Sequence, residues 1–227
     1  MSTRKSQNQQ SSEPPTGKTI YLIGPSKVQN ELIASCLELK IGVKCLLGKD
    51  ISHISYHGEG TGQRGLILLD CQGKDPEQLL IELKSLNNPK SSGYQVVLFN
   101  VSPDLKNEEK YVWEGVAGFV YDQDPTDRFL QGVQTVLNGE MWVSRGTMTK
   151  CIVAGREGVK SSDTEASALS PRQVEILALT AVGATNEQIA EKLCISPHTV
   201  KTHLYNIFKK IDVPNRLQAA LWAAKNL

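Results

Sequence analysis

The run ISPHTVKTHLYNIFKKI, residues 195–211, leaves its backbone little choice. Ser196 offers an N-cap oxygen, and Pro197 suits the first helical position, where an N–H would have no partner in any case. Val200, Leu204, Ile207, Phe208 and Ile211 then recur at spacings of three, four and one, drawing a single apolar stripe. That stripe has to pack on something. The other side carries Lys201, Thr202, Tyr205, Asn206 and Lys209, which combine cations suited to phosphates with hydrogen-bonding or apolar tips suited to base edges. An isolated helix of this kind would read as a plain solvated face.

The neighbouring residues decide against that plainer reading. Thr185 caps a short helix, TNEQIAEKL, whose Ile189, Ala190 and Leu193 face inward, and Cys194 and Ile195 turn tightly into the long helix. Two helices joined in this way make a helix-turn-helix. A preceding helix over residues 172–182 ends at Gly183, and a fourth over 216–224 follows the Val213-Pro214-Asn215 turn. The result is a compact all-α unit whose outer face suits a major groove.

The stretch LSPRQVEILALTAVGATNEQIAEKLCISPHTVKTHLYNIFKKIDVPNRLQAA resembles the C-terminal DNA-binding domain of LuxR/FixJ/NarL-type transcription regulators. The residues that carry the likeness are Glu175-Ile176-Leu177, Gly183, Ile189-Ala190, Ile195-Ser196, Thr199-Val200-Lys201, His203, Asn206-Ile207, Lys210 and Asn215-Arg216. The resemblance implies base-facing roles for Lys201, Thr202 and Tyr205, with Thr199 and Lys209 near phosphates. The partner it implies is double-stranded promoter DNA.

Charge agrees in sign. From Leu169 onward, seven cationic side chains stand against four acidic ones, a balance of +3, which leaves −2 for the rest of a chain whose total is +1. The N-terminal run MSTRKSQNQQSSEPPTGK has no apolar core of the kind a signal peptide needs and reads as a disordered tail. No membrane segment is apparent, so the expected location is the cytoplasm. The five cysteines are scattered and lack a CxxC pair, which suggests neither a disulfide framework nor a zinc site and predicts that most are small buried residues.

Upstream, TIYLI (Thr19–Ile23), VKCLL (43–47), LILLD (Leu66–Asp70), QVVLF (95–99) and GFVY (118–121) are apolar strand candidates. A helix capped by Ser26 is expected to turn Val28, Leu32, Ile33, Cys36, Leu37 and Leu39 inward before the Ile41-Gly42 break. Further helical patterns cover Pro76–Leu86 and 125–137, with a weaker one near 107–113. This alternation predicts a flavodoxin-like, doubly wound parallel sheet, an α/β domain preceding the all-α helix-turn-helix domain.

That layout resembles the receiver domain of two-component response regulators, but its chemistry departs from the family. Phosphorylated receivers use acidic residues after the first strand to hold magnesium, an aspartate ending the third, Thr or Ser ending the fourth and Lys ending the fifth. Here the corresponding positions hold Gly24-Pro25-Ser26, Asp70, Asn100 and Asp122. Without the carboxylate cluster the metal loses its ligands, and without the lysine nothing partners the phosphoryl group. Asp70 therefore reads as a vestigial phosphoacceptor and no metal is expected. HGEGTGQRG, residues 57–65, reads as a solvated loop, and His53 and His57 lack the companions of a metal site.

The stretch GEMWVSRGTMTKCIVAG, residues 139–155, offers another input. A tryptophan can stack on a base, an arginine can fork onto the O6 and N7 of guanine or onto a phosphate, and a serine can donate to phosphate. Trp142-Val143-Ser144-Arg145 resembles the W-[FLM]-[ST]-R motif of VpsT/CsgD-type biofilm regulators, with Val143 as the departure. In the VpsT branch that motif binds cyclic di-GMP, and an additional receiver helix forms the ligand-dependent dimer. Trp113 and the HLYNIFKKI wording of the long helix point the same way. The plainer alternative is a large residue that caps the core, as in many NarL-type regulators.

A short helix starting near Ser144 is expected to present Met148, Ile152 and Val153 as an exposed apolar side with no core left to join, which suits a two-fold homodimer on a palindromic site. The domains expected are a tail (1–18), a receiver-like domain with an extra C-terminal helix (19–154), a linker (155–168) and the helix-turn-helix domain (169–227). The function expected is a cyclic di-GMP-responsive transcription regulator of biofilm-matrix genes. A conventional phospho-regulated response regulator using Asp70 is the alternative. An acyl-homoserine-lactone receptor fits less well, because no aromatic-rich cavity pattern is present. An enzyme fits least, because no Ser/His/Asp, metal or P-loop constellation appears.

Overall fold

The computed structural model describes residues 19–54, 65–86, 94–158 and 169–227. The expected tail, the 57–64 part of the glycine-rich loop with His57, and residues 159–168 of the expected linker lie outside the described residues.

Strands β1 (Thr19–Ile23), β2 (Lys44–Gly48), β3 (Leu66–Asp70), β4 (Gln95–Val101) and β5 (Val116–Tyr121) form a parallel sheet in the order β2-β1-β3-β4-β5. Helices α1 (Lys27–Ile41), α2 (Pro76–Leu86), α3 (Glu108–Trp113) and α4 (Thr126–Leu137) cover it on both faces. Every residue of β3 is buried, which is why LILLD reads as a continuous apolar run. Leu66 and Leu68 point to the face lined by α1 and α4, where Leu37, Phe99, Val133 and Val136 pack. Ile67 and Leu69 point to the other, with Leu79, Leu83, Tyr111 and Val112.

In α1 the inward face is narrower than its apolar composition suggests. Asn30, Ala34 and Leu37 are buried, but Val28, Leu32 and Leu39 are 68, 68 and 84% exposed, which corrects the expectation that all of the apolar positions face the core. At about 100° per residue, positions 28, 32 and 39 fall roughly half a turn from 30, 34 and 37, and a sheet covers only one side of a helix. The cysteine expectation is corrected as well: Cys151 is buried, Cys36, Cys45 and Cys71 are half-buried, and Cys194 is exposed.

Helix α5 (Arg145–Gly158) begins one residue after Ser144 and runs past the expected domain limit at 154. It does have a core to join, contrary to expectation. It lies against α3, burying Thr147 and Cys151, and touches the last helix of the chain. Helices α6 (Pro171–Ala181), α7 (Asn186–Leu193), α8 (Pro197–Lys210) and α9 (Arg216–Asn226) enclose Ile176, Leu177, Ile189, Val200, Leu204, Ile207 and Trp222. Their starts are set locally. Ser170 with Gln173 and Thr185 with Gln188 form capping boxes, and Ser196 and Asn215 accept from the backbone N–H three residues on. Among the described residues no helix is long and apolar enough to cross a membrane.

Candidate functional site

Three places carry the chemistry singled out by the sequence. The first is the carboxyl end of β3. Asp70 is fully buried, and its Oδ1 accepts from Asn100 Nδ2 and from the backbone N–H of Gln72, each at 2.9 Å. Its Oδ2 has no hydrogen-bond partner among the described residues. Gly24 stands where magnesium-binding receivers carry acid, and a Cβ there would lie 2.9 Å from Asp70 Cβ and 3.0 Å from Asn30 Oδ1. The room for an acidic side chain is thus filled by Asp70 itself. Asn100 offers an amide where such receivers carry a hydroxyl, Asp122 stands in place of the lysine, and no group of three or more potential metal ligands occurs among the described residues. The residues present do not fit a magnesium site.

The second place is the 141–148 segment. Residue 142 extends the sheet by a parallel bridge to Gly118: Trp142 N donates to Ala117 O at 2.8 Å, and Phe119 N donates to Trp142 O at 3.0 Å. Extended backbone then sends successive side chains to opposite sides. Trp142 packs with the α4 layer, and Val143 is committed to the α3 layer. The indole lies on α4 where Gly132 leaves space, since a Cβ at 132 would be 2.8 Å from Trp142 Nε1. It is only half-buried, and the Arg128 guanidinium stands 5.8 Å from the ring centre.

Ser144 caps α5 by accepting from Thr147 N at 3.1 Å, and its hydroxyl lies 2.8 Å from the Thr147 hydroxyl. Thr147 donates to Glu108, which also accepts from the Tyr121 hydroxyl at 2.6 Å. Burial first, and the hydrogen bond to Glu108 second, push the Tyr121 phenol well above its ordinary pKa and keep it a donor. Arg145 is exposed and makes no ion pair with a described residue. Of the residues expected at a dimer interface, Met148 is half-buried, while Ile152 and Val153 are 38 and 58% exposed.

The third place is α8. Val200, Leu204, Ile207 and Ile211 are buried, so the stripe faces the core of its domain. Lys201, Thr202 and Tyr205 are half-buried on the other side, with Thr199 at the N-terminal turn bonded to Ser196 and Lys209 exposed. Lys201 is not directed to solvent. Its Nζ donates to Leu137 O at 3.2 Å and to Asn138 Oδ1 at 3.5 Å, at the end of α4.

This bond belongs to a wider latch between the domains. Asn186 Nδ2 donates to Asn138 O at 2.6 Å, Asn186 N donates to Glu140 Oε1 at 3.0 Å, and Arg216 lies 3.5 Å from the same carboxylate oxygen. Arg216 also holds Asn186 Oδ1 at 2.7 Å and Ala184 O. Its burial lowers the guanidinium pKa, against the raising influence of Glu140 and Glu187. Gly139, at φ +88, makes the close approach possible, since a Cβ there would meet Asn186 Nδ2 at 2.6 Å. A second contact joins the carboxyl end of α3 to α9: Asn215 Nδ2 donates to Val112 O at 2.8 Å, and Gln218 Nε2 donates to Trp113 O at 3.0 Å. The N-G pair at 138–139 signals a turn, but nothing in the sequence identified Asn138, Glu140 and Asn186 as interdomain contacts, or Arg128 as a neighbour of Trp142.

A receiver-type parallel sheet latched to a four-helix unit defines a two-domain regulator with a helix-turn-helix output. Comparison with known proteins agrees. Residues 167–223 match the model of the LuxR family of bacterial regulatory proteins, and residues 22–145 match that of the VpsT-like receiver domain. The chain is 31% identical to the CsgBAC operon transcriptional regulatory protein of Escherichia coli K12 over 93% of its own length and 95% of that protein's. It is 30% identical, with the same coverage, to the probable csgAB operon transcriptional regulatory protein of Salmonella typhimurium. Among solved structures, the regulatory domain of the master biofilm regulator CsgD aligns with 60% of this chain and 98% of its own, at 19% identity and a TM-score of 0.49. The chain belongs to the LuxR family, as a DNA-binding transcription regulator with a VpsT-like receiver domain, related to the CsgD biofilm regulators; it is not an enzyme.

Proposed function

We propose that this regulator responds to cyclic di-GMP, bound through Trp142, Ser144 and Arg145, and that the ligand stabilises a homodimer that binds promoters of biofilm-matrix genes in the cytoplasm. The observation that carries the reading is the state of the motif. The indole is backed by α4 yet half-exposed, and Arg145 opens α5 exposed and without an ion pair among the described residues. A stacking plane, an exposed guanidinium and the positive end of a 14-residue helix together suit a phosphate-linked purine. Val143 packs into the α3 layer, and the exposed Ile152 and Val153, flanked by Met148, provide apolar surface for a second copy. Titration calorimetry with cyclic di-GMP, paired with sedimentation in the same buffer, tests the reading. Binding heat and a rise in mass to the dimer are expected; neither heat nor mass change would leave the motif as a cap on the core.

Release of the latch completes the mechanism. DNA binding through Thr199, Lys201, Thr202, Tyr205 and Lys209 requires Lys201 to leave Leu137 O and Asn138, so the latched arrangement competes with DNA. Ligand shifts that equilibrium only by favouring the open dimer. The Ser144–Thr147–Glu108 bonds tie the motif to α3, whose far end holds α9, so a change at the motif bears directly on the DNA-binding domain. Glu140→Ala removes the acceptor of Asn186 N and the receiver-side charge facing Arg216, while Arg216 keeps its partners within its own domain. With a net hydrogen bond worth about 1 kcal/mol, promoter affinity without ligand is expected to rise by roughly threefold to tenfold. Unchanged or weaker binding would count against the latch.

Asp70 is not the input in this reading. Incubation with a small phosphodonor and magnesium is expected to leave the protein unmodified, because the carboxylate is buried, bonded to Asn100 and Gln72, and without metal ligands beside it. Stoichiometric acid-labile phosphate on Asp70 would restore the conventional phospho-regulated alternative.

A further inference from the structure

Once Arg145 is taken up with Ser144 by phosphate, the Trp142-Val143-Ser144-Arg145 run does not separate guanine from adenine, because an indole stacks on either base. A group that discriminates has to reach the base edge from elsewhere, and α4 carries one. Gly132 lets the indole rest directly on the helix, with Trp142 Nε1 only 2.8 Å from where a Cβ at 132 would stand. One turn earlier, on the same face of α4, Arg128 places its guanidinium carbon 5.8 Å from the centre of that ring. Its side chain is 57% exposed, so it is open to a ligand.

The arginine is also held in place. Its Nε lies 3.1 Å from Asp124 Oδ1, and Asp124, whose side chain is 11% exposed, accepts Tyr121 N at 2.9 Å through Oδ2. A guanidinium steadied in this way over the rim of a stacking plane offers a planar pair of donors to the edge of a base stacked there. Guanine presents two acceptors, O6 and N7, to such a fork, whereas adenine presents the N6 amino donor where guanine has O6. A second donor facing the fork is repelled.

We propose that Arg128 is the residue that selects guanine, reading the O6 and N7 edge of the base stacked on Trp142. The inference rests on the cyclic di-GMP reading and is tested so that the two can fail separately. Full-length wild type, Arg128→Ala and Arg128→Lys are titrated by calorimetry with cyclic di-GMP and with cyclic di-AMP, and thermal melts confirm equal folding. Wild type is expected to prefer cyclic di-GMP by about tenfold or more, the scale of one bidentate base contact. Arg128→Ala is expected to lose that preference through weaker cyclic di-GMP binding, with cyclic di-AMP binding unchanged or tighter. Arg128→Lys should not restore it, because an ammonium has no fork. If Arg128→Ala keeps the preference, or weakens both ligands equally, the selecting role is overturned while the cyclic di-GMP reading stands. Equal wild-type binding of both nucleotides overturns the selecting role as well. If wild type binds neither nucleotide, the cyclic di-GMP reading fails and the inference falls with it.

Discussion

The double substitution Lys201→Ala, Thr202→Ala is expected to weaken promoter binding by about thirtyfold or more at matched salt, with the fold intact. Two effects of opposite sign meet here. In the latched form Lys201 donates to Leu137 O and Asn138 Oδ1, so its loss loosens the domain contact and favours the open form by an amount on the order of 1 kcal/mol. Each lost base contact costs about 1 to 3 kcal/mol, and two are removed, so the loss on DNA outweighs the gain from opening. Neither side chain belongs to the core built from Val200, Leu204 and Ile207, so the helix itself should survive. Electrophoretic mobility shift on the target promoter, with a scrambled duplex as control, provides the measurement. Unchanged specific binding would mean that another face of α8 meets the groove.

Arg145→Ala is expected to abolish the response to cyclic di-GMP. The side chain is exposed and has no ion pair among the described residues to lose, so truncation should leave the melting temperature within about a degree or two of wild type, as for other surface substitutions away from special features. A charge-assisted fork to a phosphate is worth on the order of 2 kcal/mol or more, which corresponds to about a thirtyfold weaker Kd. Basal DNA binding should not change, because no hydrogen bond or ion pair among the described residues joins Arg145 to α8 or the latch. Calorimetry and sedimentation with ligand, followed by mobility shift with and without it, separate these readouts. A mutant that still binds and dimerises like wild type would remove Arg145 from the site, and a mutant with altered basal DNA binding would mean that Arg145 bears on the domain contact itself.

The local chemistry of the chain was largely readable from its residues. Ser26, Thr185, Ser196 and Asn215 sit where a side-chain oxygen can satisfy an orphan N–H, and Gly42 and Gly183 take the positive φ that ends a helix, so element starts and stops follow from neighbouring residues. The buried run LILLD and the three-four spacing in α8 likewise name their own partners, a doubly covered sheet and a helical core. The missing acids, lysine and hydroxyl of the receiver pocket were visible as absences, although the filling of that space by Asp70 and Asn30 was not.

The tertiary structure decided what depends on residues distant in sequence. Val28, Leu32 and Leu39 are no less apolar than the buried Ala34 of the same helix, and only the width of the sheet beneath α1 leaves them outside. Helix α5 found a core because α3 ends beside α9, 103 residues apart at the Asn215 to Val112 bond. Trp142 acquires Arg128 as a neighbour only when α4 folds back over the sheet, and Lys201 meets Leu137 across 64 residues. Caps, periodicity and strand patterning act over a few residues and are therefore written along the chain. Latches, stacked pairs and unpartnered faces arise from the closing of long loops, and their geometry exists only once the elements concerned have packed.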